Sequence, residues 1–398
     1  MSVQLVEREQ RVTPLELFFD LVFVFALTQV TMLLSDNPTW SGLGHSLLIL
    51  GTLWWVWSSY AWLTNSVDAE RGVVGATILA AMAAMFVAAL AVPGVFGDDG
   101  GVFGVAFLVV ALMQLALFTL SSRADRDLGH ALLRVAPWSL TGALLIVVAG
   151  FVHGGLKPVL WLAALLIGFV GPFFAGVDGF RLHPAHFVER HGLIVIIAIG
   201  EALVAIGVGA RGVGLDTSVI VAAVLGFAVA ASFWLAYFDF FTIRAQQLLI
   251  DRTGSERVAL ARDAYTYLHL PMIVGIVLFA FAVKTTIAHD SDDLATIPTV
   301  CLCCGPALYL FAYVGVRARI SHTFRGGRLV AAVACVALLP VALAVPALVA
   351  LALMAALWAA LHAYELIWFS QARAETRAQR APEVSPLQSP APPHPPRP

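Results

Sequence analysis

Charge is scarce in this 398-residue chain: 12% of its residues are charged, about half the share usual in a water-soluble domain. So little polar surface cannot clothe a globule in water. The formal net charge of −2 leaves nucleic acid no basic face to bind. Cysteine is nearly absent. Cys301, Cys303 and Cys304 crowd into one apolar stretch and Cys335 lies in another, which excludes a disulfide framework and lacks metal-site spacing. A phosphate-cradling glycine loop, a serine nucleophile elbow and any cofactor fingerprint are missing too, so no cofactor and no catalytic residue are assigned. A cleavable leader is not evident either. The first apolar run, from Leu15, meets no small-residue cleavage site and reads as a retained helix.

What the chain has in abundance is apolar length, with 60% of its residues hydrophobic. About 20 apolar residues cross a hydrocarbon core as a helix. By that measure the chain is an all-α membrane protein with about twelve spans: 15–34, 43–64, 72–95, 102–121, 131–152, 158–177, 191–210, 217–238, 265–287, 296–316, 329–345 and 347–369. The last pair is interrupted by Pro340 and Pro346. With twelve spans, every one of the 23 basic residues except Lys157, Arg211 and Lys284 falls on the side of the two termini. The positive-inside rule then puts both termini in the cytoplasm and the protein in a bacterial inner membrane. Residues 1–14 form the cytoplasmic N-terminus, and the proline-rich tail 370–398 is expected to be a disordered cytoplasmic extension. The lipid bilayer is the partner that the composition names, and the sequence carries no sign of oligomeric state.

The halves look like one six-helix unit written twice, 15–177 and 191–369, joined by a linker at 178–190. Span 2 is aromatic (Trp54, Trp55, Trp57, Tyr60, Trp62) and so is span 8 (Phe233, Trp234, Tyr237, Phe238). Arginine opens both span 5 (Arg134) and span 11 (Arg328). Because six is even, the copies run the same way through the bilayer, a parallel 6+6 internal repeat of a kind that secondary transporters use.

The opening run Glu16-Leu17-Phe18-Phe19-Asp20-Leu21-Val22-Phe23-Val24-Phe25-Ala26-Leu27-Thr28-Gln29, with Glu189-Arg190-His191-Gly192-Leu193 and Ile199-Gly200-Glu201, resembles the bacterial low-temperature-requirement protein A family over residues 10 to 370. The resemblance implies a multi-pass inner-membrane protein and carries little about activity.

Those residues have a physical reading of their own. Glu16 and Asp20 are four apart and share a helix face. An ionised carboxylate in hydrocarbon costs several kcal/mol unless paired, hydrated or protonated. Asp20 is therefore either a proton- or cation-binding group or an acid that pairs with Arg190 to fix helix packing. Glu201 lies deeper, with Gly192, Gly200, Gly207 and Gly209 on its helix to admit a neighbour. Aligning Glu16 with Glu189 sets Glu201 opposite Thr28, next to Gln29. His183, His186 and Glu189 are spaced by three and could bind a divalent cation. The competing reading is an ion-pair cluster of Glu189, Arg190 and His191 with Glu16 or Asp20, tying or gating the halves.

Three functions compete. The favoured one is a secondary transporter or ion-conducting protein for a small solute or ion, proton-coupled through Asp20 and Glu201; it requires an internal polar route between spans 1 and 7. The others are a membrane-embedded enzyme acting on lipids or lipid-linked substrates, and a structural or sensory membrane protein.

Overall fold

The computed structural model describes residues 12–67, 69–70, 72–123, 125–211, 213–238, 241–288, 293–321 and 326–368, the side chains of 241–244 excepted. The tail expected at 370–398 and most of the N-terminus lie outside these residues. In chain order the helices are α1 Pro14–Asp36, α2 Trp40–Thr64, α3 Gly72–Leu90, α4 Gly100–Ser122, α5 Arg126–Phe151, α6 Leu156–Ala175, α7 Pro184–Gly209 and α8 Thr217–Phe238. They continue as α9 Phe241–Ile250, α10 Gly254–Ala261, α11 His269–Ala288, α12 Thr296–Ser321, α13 Gly326–Ala337, α14 Leu339–Ala342 and α15 Ala347–Trp368. A π-turn, Arg262–Tyr267, joins α10 to α11.

Ten helices of the described residues are long and apolar enough to cross a membrane. Two of the twelve expected spans fall outside that measure. α2 has 25 residues, but its tryptophans, serines and threonines dilute the aliphatic content. Gly326–Ala342 is short and breaks at Leu338, ahead of Pro340 in the next turn.

The outer surface is built for lipid. On α6, Val159, Leu162, Leu166, Val170 and Phe173 recur every three or four residues and are all exposed, an apolar stripe that water would not tolerate on this scale. α11 is the interior helix: 78% of the apolar window in its segment is buried, against 28% for α5 and for α6. Gly275 of α11 and Gly305 of α12 let two backbones meet, since a Cβ on Gly275 would stand 2.5 Å from the Gly305 carbonyl oxygen. The site is set by a smaller group of contacts: α1 packs against α2, α3, α7 and α11, and α7 against α1, α8 and α11.

Candidate functional site

Local sequence fixes where α1 and α7 begin. Thr13 caps α1, Pro14 occupies its first turn, and Glu16 completes a capping box by accepting from the Thr13 backbone N–H at 2.9 Å. Pro184 likewise opens α7, six residues inside what the sequence assigned to a linker. Residues 184–190 are therefore helical, and Arg190 points from a rigid element into α1. Its Nη1 donates to Asp20 Oδ2 at 2.9 Å and to the Glu16 carbonyl at 3.0 Å. Asp20 also accepts from Trp57 Nε1 of α2 at 2.9 Å. All three groups are at most 2% exposed, so the acid is held by a cation and an indole rather than facing an open route.

Asn65, at the end of α2, fixes the next member. Its Oδ1 accepts from the His183 backbone N–H at 2.8 Å, so its Nδ2 must face His186 Nδ1, 3.2 Å away. The His186 ring proton then sits on Nε2 and is donated to Glu16 at 3.1 Å. Two carboxylates thus share one guanidinium. The remaining negative charge on Glu16 rests against the N-terminal end of α1, where backbone N–H groups and the helix dipole favour an anion.

The Glu189-Arg190-His191 triplet divides three ways. Glu189 is exposed and accepts from the Val12 backbone N–H at 3.3 Å. Arg190 turns to α1. His191 is completely buried in a box of rings, with Trp57, Tyr265 and His269 centroids at 5.0, 4.9 and 5.5 Å. Its Nδ1–H is donated to the Phe187 carbonyl at 2.9 Å. The expected cluster is corrected accordingly: Glu16, Asp20, Arg190 and His186 form it, and Glu189 and His191 do not.

The divalent-cation stripe is also overturned. His183 and Glu189 are exposed, His186 is buried against Glu16 and Asn65, and no group of three His, Cys, Asp or Glu among the described residues is placed to hold a metal ion. Asn65 captures the one histidine that faces inward.

Glu201 stands farther along the same seam. It is buried, and its Oε2 lies 2.5 Å from Thr28 Oγ1, the residue that the repeat alignment set opposite it. Gln29, one residue on, is half-buried and does not reach Glu201. Thr28 Oγ1 also lies 3.2 Å from the Val24 carbonyl, and a hydroxyl has one proton to give. Either the hydroxyl donates to a carboxylate, or a protonated Glu201 donates to the hydroxyl, which donates to Val24. The same heavy atoms serve both states. Thr31, Ser35 and Lys284 continue this polar line, with Lys284 Nζ donating to Ser35 Oγ at 3.0 Å. Gly209 meets the α11 backbone at Lys284, whereas Gly200 and Gly207 face open space rather than a helix.

The buried acids among the described residues are Glu16, Asp20, Glu201 and Glu365. Three have a basic side chain within 4 Å; Glu201 does not. The Glu365 partner is Arg328, which spans α13 and α15 with Nη2 donating to Oε2 at 3.0 Å and with Nη1 on the Ala236 carbonyl of α8 at 2.9 Å. His362 Nδ1 lies 4.0 Å from the same carboxylate. Two pockets within the described residues are lined by neither Asp20 nor Glu201.

The motifs brought together here lie inside a family match. The family described as bacterial low temperature requirement A protein matches residues 11–363. The chain belongs to that family. This low temperature requirement A protein is thus a membrane protein with many apolar helices, in which Glu16, Asp20, Arg190 and Glu201 lie along one seam between α1 and α7. An uncharacterized protein of Rhizobium meliloti (strain 1021) is 29% identical over 296 residues, covering 69% of each chain. No solved structure matches.

Proposed function

We propose that the protein is a secondary transporter or ion-conducting protein of the bacterial inner membrane, with Glu201 as its proton-exchanging group. One observation carries the reading: among the described residues Glu201 is the buried acid with no basic side chain within 4 Å, Lys284 acting on it only from farther along the seam, and its hydrogen-bond geometry suits both protonation states. An unpaired ionised carboxylate in a dry interior costs several kcal/mol, so such a group is useful where a proton comes and goes. Asp20 has a different part. Locked to Arg190 and Trp57, it closes the end of the seam at which α1 and α7 begin, and transport requires that end to separate from the other. Twelve spans in two parallel halves, with both termini cytoplasmic, fit this reading. The neighbours of α1 (α2 and α3) recur as those of α7 (α8 and α11), and Arg134 and Arg328 each bind just beyond or at the far end of their own half, on the Asp178 carbonyl at the start of the linker and on Glu365.

The closed seam favours one other reading, a structural protein in which both acids only fasten helices. Reconstituted vesicles with an internal pH dye separate the two. Transport predicts proton movement down an imposed gradient in wild type and its loss in Glu201→Gln, with the variant still eluting as a folded protein. Equal, background-level signals in both across a panel of ions and small solutes would leave only the fastening role.

A further inference from the structure

The pocket that the seam does not use lies where the first half meets the π-turn of the second. It is lined by α2, α4, α5 and α6, with the π-turn Arg262–Tyr267 along one side, and it is partly open to the surroundings. The π-turn is held in place: Thr266 accepts from Trp54 Nε1 through its carbonyl at 2.7 Å, and from Trp62 Nε1 through its hydroxyl oxygen at 2.9 Å. Tyr267 donates to the Phe169 carbonyl of α6 at 2.7 Å. The space is about 120 Å³, close in size to the ~150 Å³ of an engineered apolar cavity that takes up benzene, although this one has an open side. Its walls are mainly aromatic and aliphatic, with Trp55, Trp62 and Tyr267 giving flat faces. Of its polar lining residues, Ser58 and Thr266 bond each other and Tyr267 is held by Phe169, whereas Ser59, Gln114 and Ser139 make no side-chain hydrogen bond to another described residue. The one charged lining residue, Arg262, is already held by Asp263 at 2.8 Å and stacked over Phe173 at 4.5 Å. Sites of this make-up, apolar walls with a few convergent polar groups, bind small molecules.

We propose that this pocket binds a small, uncharged, largely apolar molecule with one or two hydrogen-bonding groups, of the size and chemistry of a single aromatic amide or phenol. Apolar walls hold the ring, and Gln114 with Ser59 or Ser139 pairs its polar end. Ions and charged solutes are excluded because no free charge of either sign faces the space. The site is separate from Glu201 and does not depend on the transport reading.

The test uses the full chain in detergent micelles and in lipid nanodiscs, titrated with para-bromobenzamide, whose bromine quenches the fluorescence of Trp55 and Trp62. Saturable quenching is expected. Ala136→Phe or Ala111→Leu, each placing bulk in the pocket, should weaken it by at least about tenfold, and Gln114→Leu by roughly two- to tenfold, the worth of one hydrogen bond. The carboxylate para-bromobenzoate should bind at least about tenfold more weakly, because its charge would be buried unpaired. Elution profile and melting temperature check that each variant is folded, and Gln114→Leu keeps the test alive if a filling variant is not. Quenching that rises without saturation, that survives both filling variants, or that is equal for the amide and the carboxylate would overturn the proposal.

Discussion

Replacing Arg190 by Met should be among the most damaging single changes in the protein. The guanidinium is 1% exposed and donates to Asp20 Oδ2 and to the Glu16 carbonyl. Without it Asp20 keeps only the Trp57 indole N–H, and a charge remains buried in a low dielectric. Removing one partner of a buried pair costs about 3–5 kcal/mol. At roughly 2 °C per kcal/mol, the smaller end of the range for large domains, the midpoint should fall by about 6–10 °C. Asp20→Asn keeps an acceptor for Trp57 and should cost less, about 1–3 kcal/mol. The informative variant is the double one, Asp20→Leu with Arg190→Met, in which the pair leaves together and Glu16 keeps His186 and the α1 N-terminus as its partners. It should recover most of the loss, because apolar replacement of a buried pair is often neutral or stabilising. The assay is thermal unfolding in detergent, followed by the fraction that still elutes as a single species. A stable Arg190→Met variant, or a double variant no better than the single one, would refute the pairing.

The second buried pair makes a parallel case. Arg328→Met should cost about 3–5 kcal/mol in the same assay, and Arg328→Lys should not restore it, since an ammonium cannot form the two parallel bonds to Glu365 while also reaching the Ala236 carbonyl. Outside the bundle, Asp216 accepts from the Val219 N–H and the Ser218 hydroxyl ahead of α8, and the first of these bonds mainly holds its carboxyl below the usual range. A depressed acid contributes its stability above the unfolded value, about 3.9, and loses it as the pH falls through the lowered folded value. Hydrogen exchange in the first turn of α8 should therefore quicken in acid, and Asp216→Ala should abolish that pH dependence.

How much of this was legible in the sequence varies with the distance over which the causes act. Ten of the twelve expected span positions were, because twenty apolar residues in a row need no partner to declare a helix. The Asp20–Arg190 pair was visible as one of two readings, since a buried acid needs either a proton or a cation and Arg190 was at the matching depth. The role of Glu16 as a cap was also written locally, in Thr13-Pro14-Leu15-Glu16, and the signature was missed because the acid was read for chemistry alone. The divalent-cation stripe failed for the opposite reason. His183, His186 and Glu189 have helical spacing, but Asn65, 121 residues away from His186 in the chain, decides which of them faces inward. Arg328 and Glu365 sit at the ends of separate helices 37 residues apart, so only the packing of α13 on α15 reveals the pair. The π-turn leaves no periodicity signal, yet its Thr266 carbonyl and hydroxyl fasten α2 to the second half.

Infrared difference spectroscopy of the reconstituted protein reads the Glu201 carboxyl directly. A protonated-acid band, assigned by its disappearance in Glu201→Gln, should shift when water is exchanged for heavy water, and should fade and return as the pH of the outer solution is cycled. A Glu201 band that neither shifts nor titrates over days, or the lack of any band lost in Glu201→Gln at acidic pH, would mean that this group never trades its proton with water, and the transport reading would be contradicted.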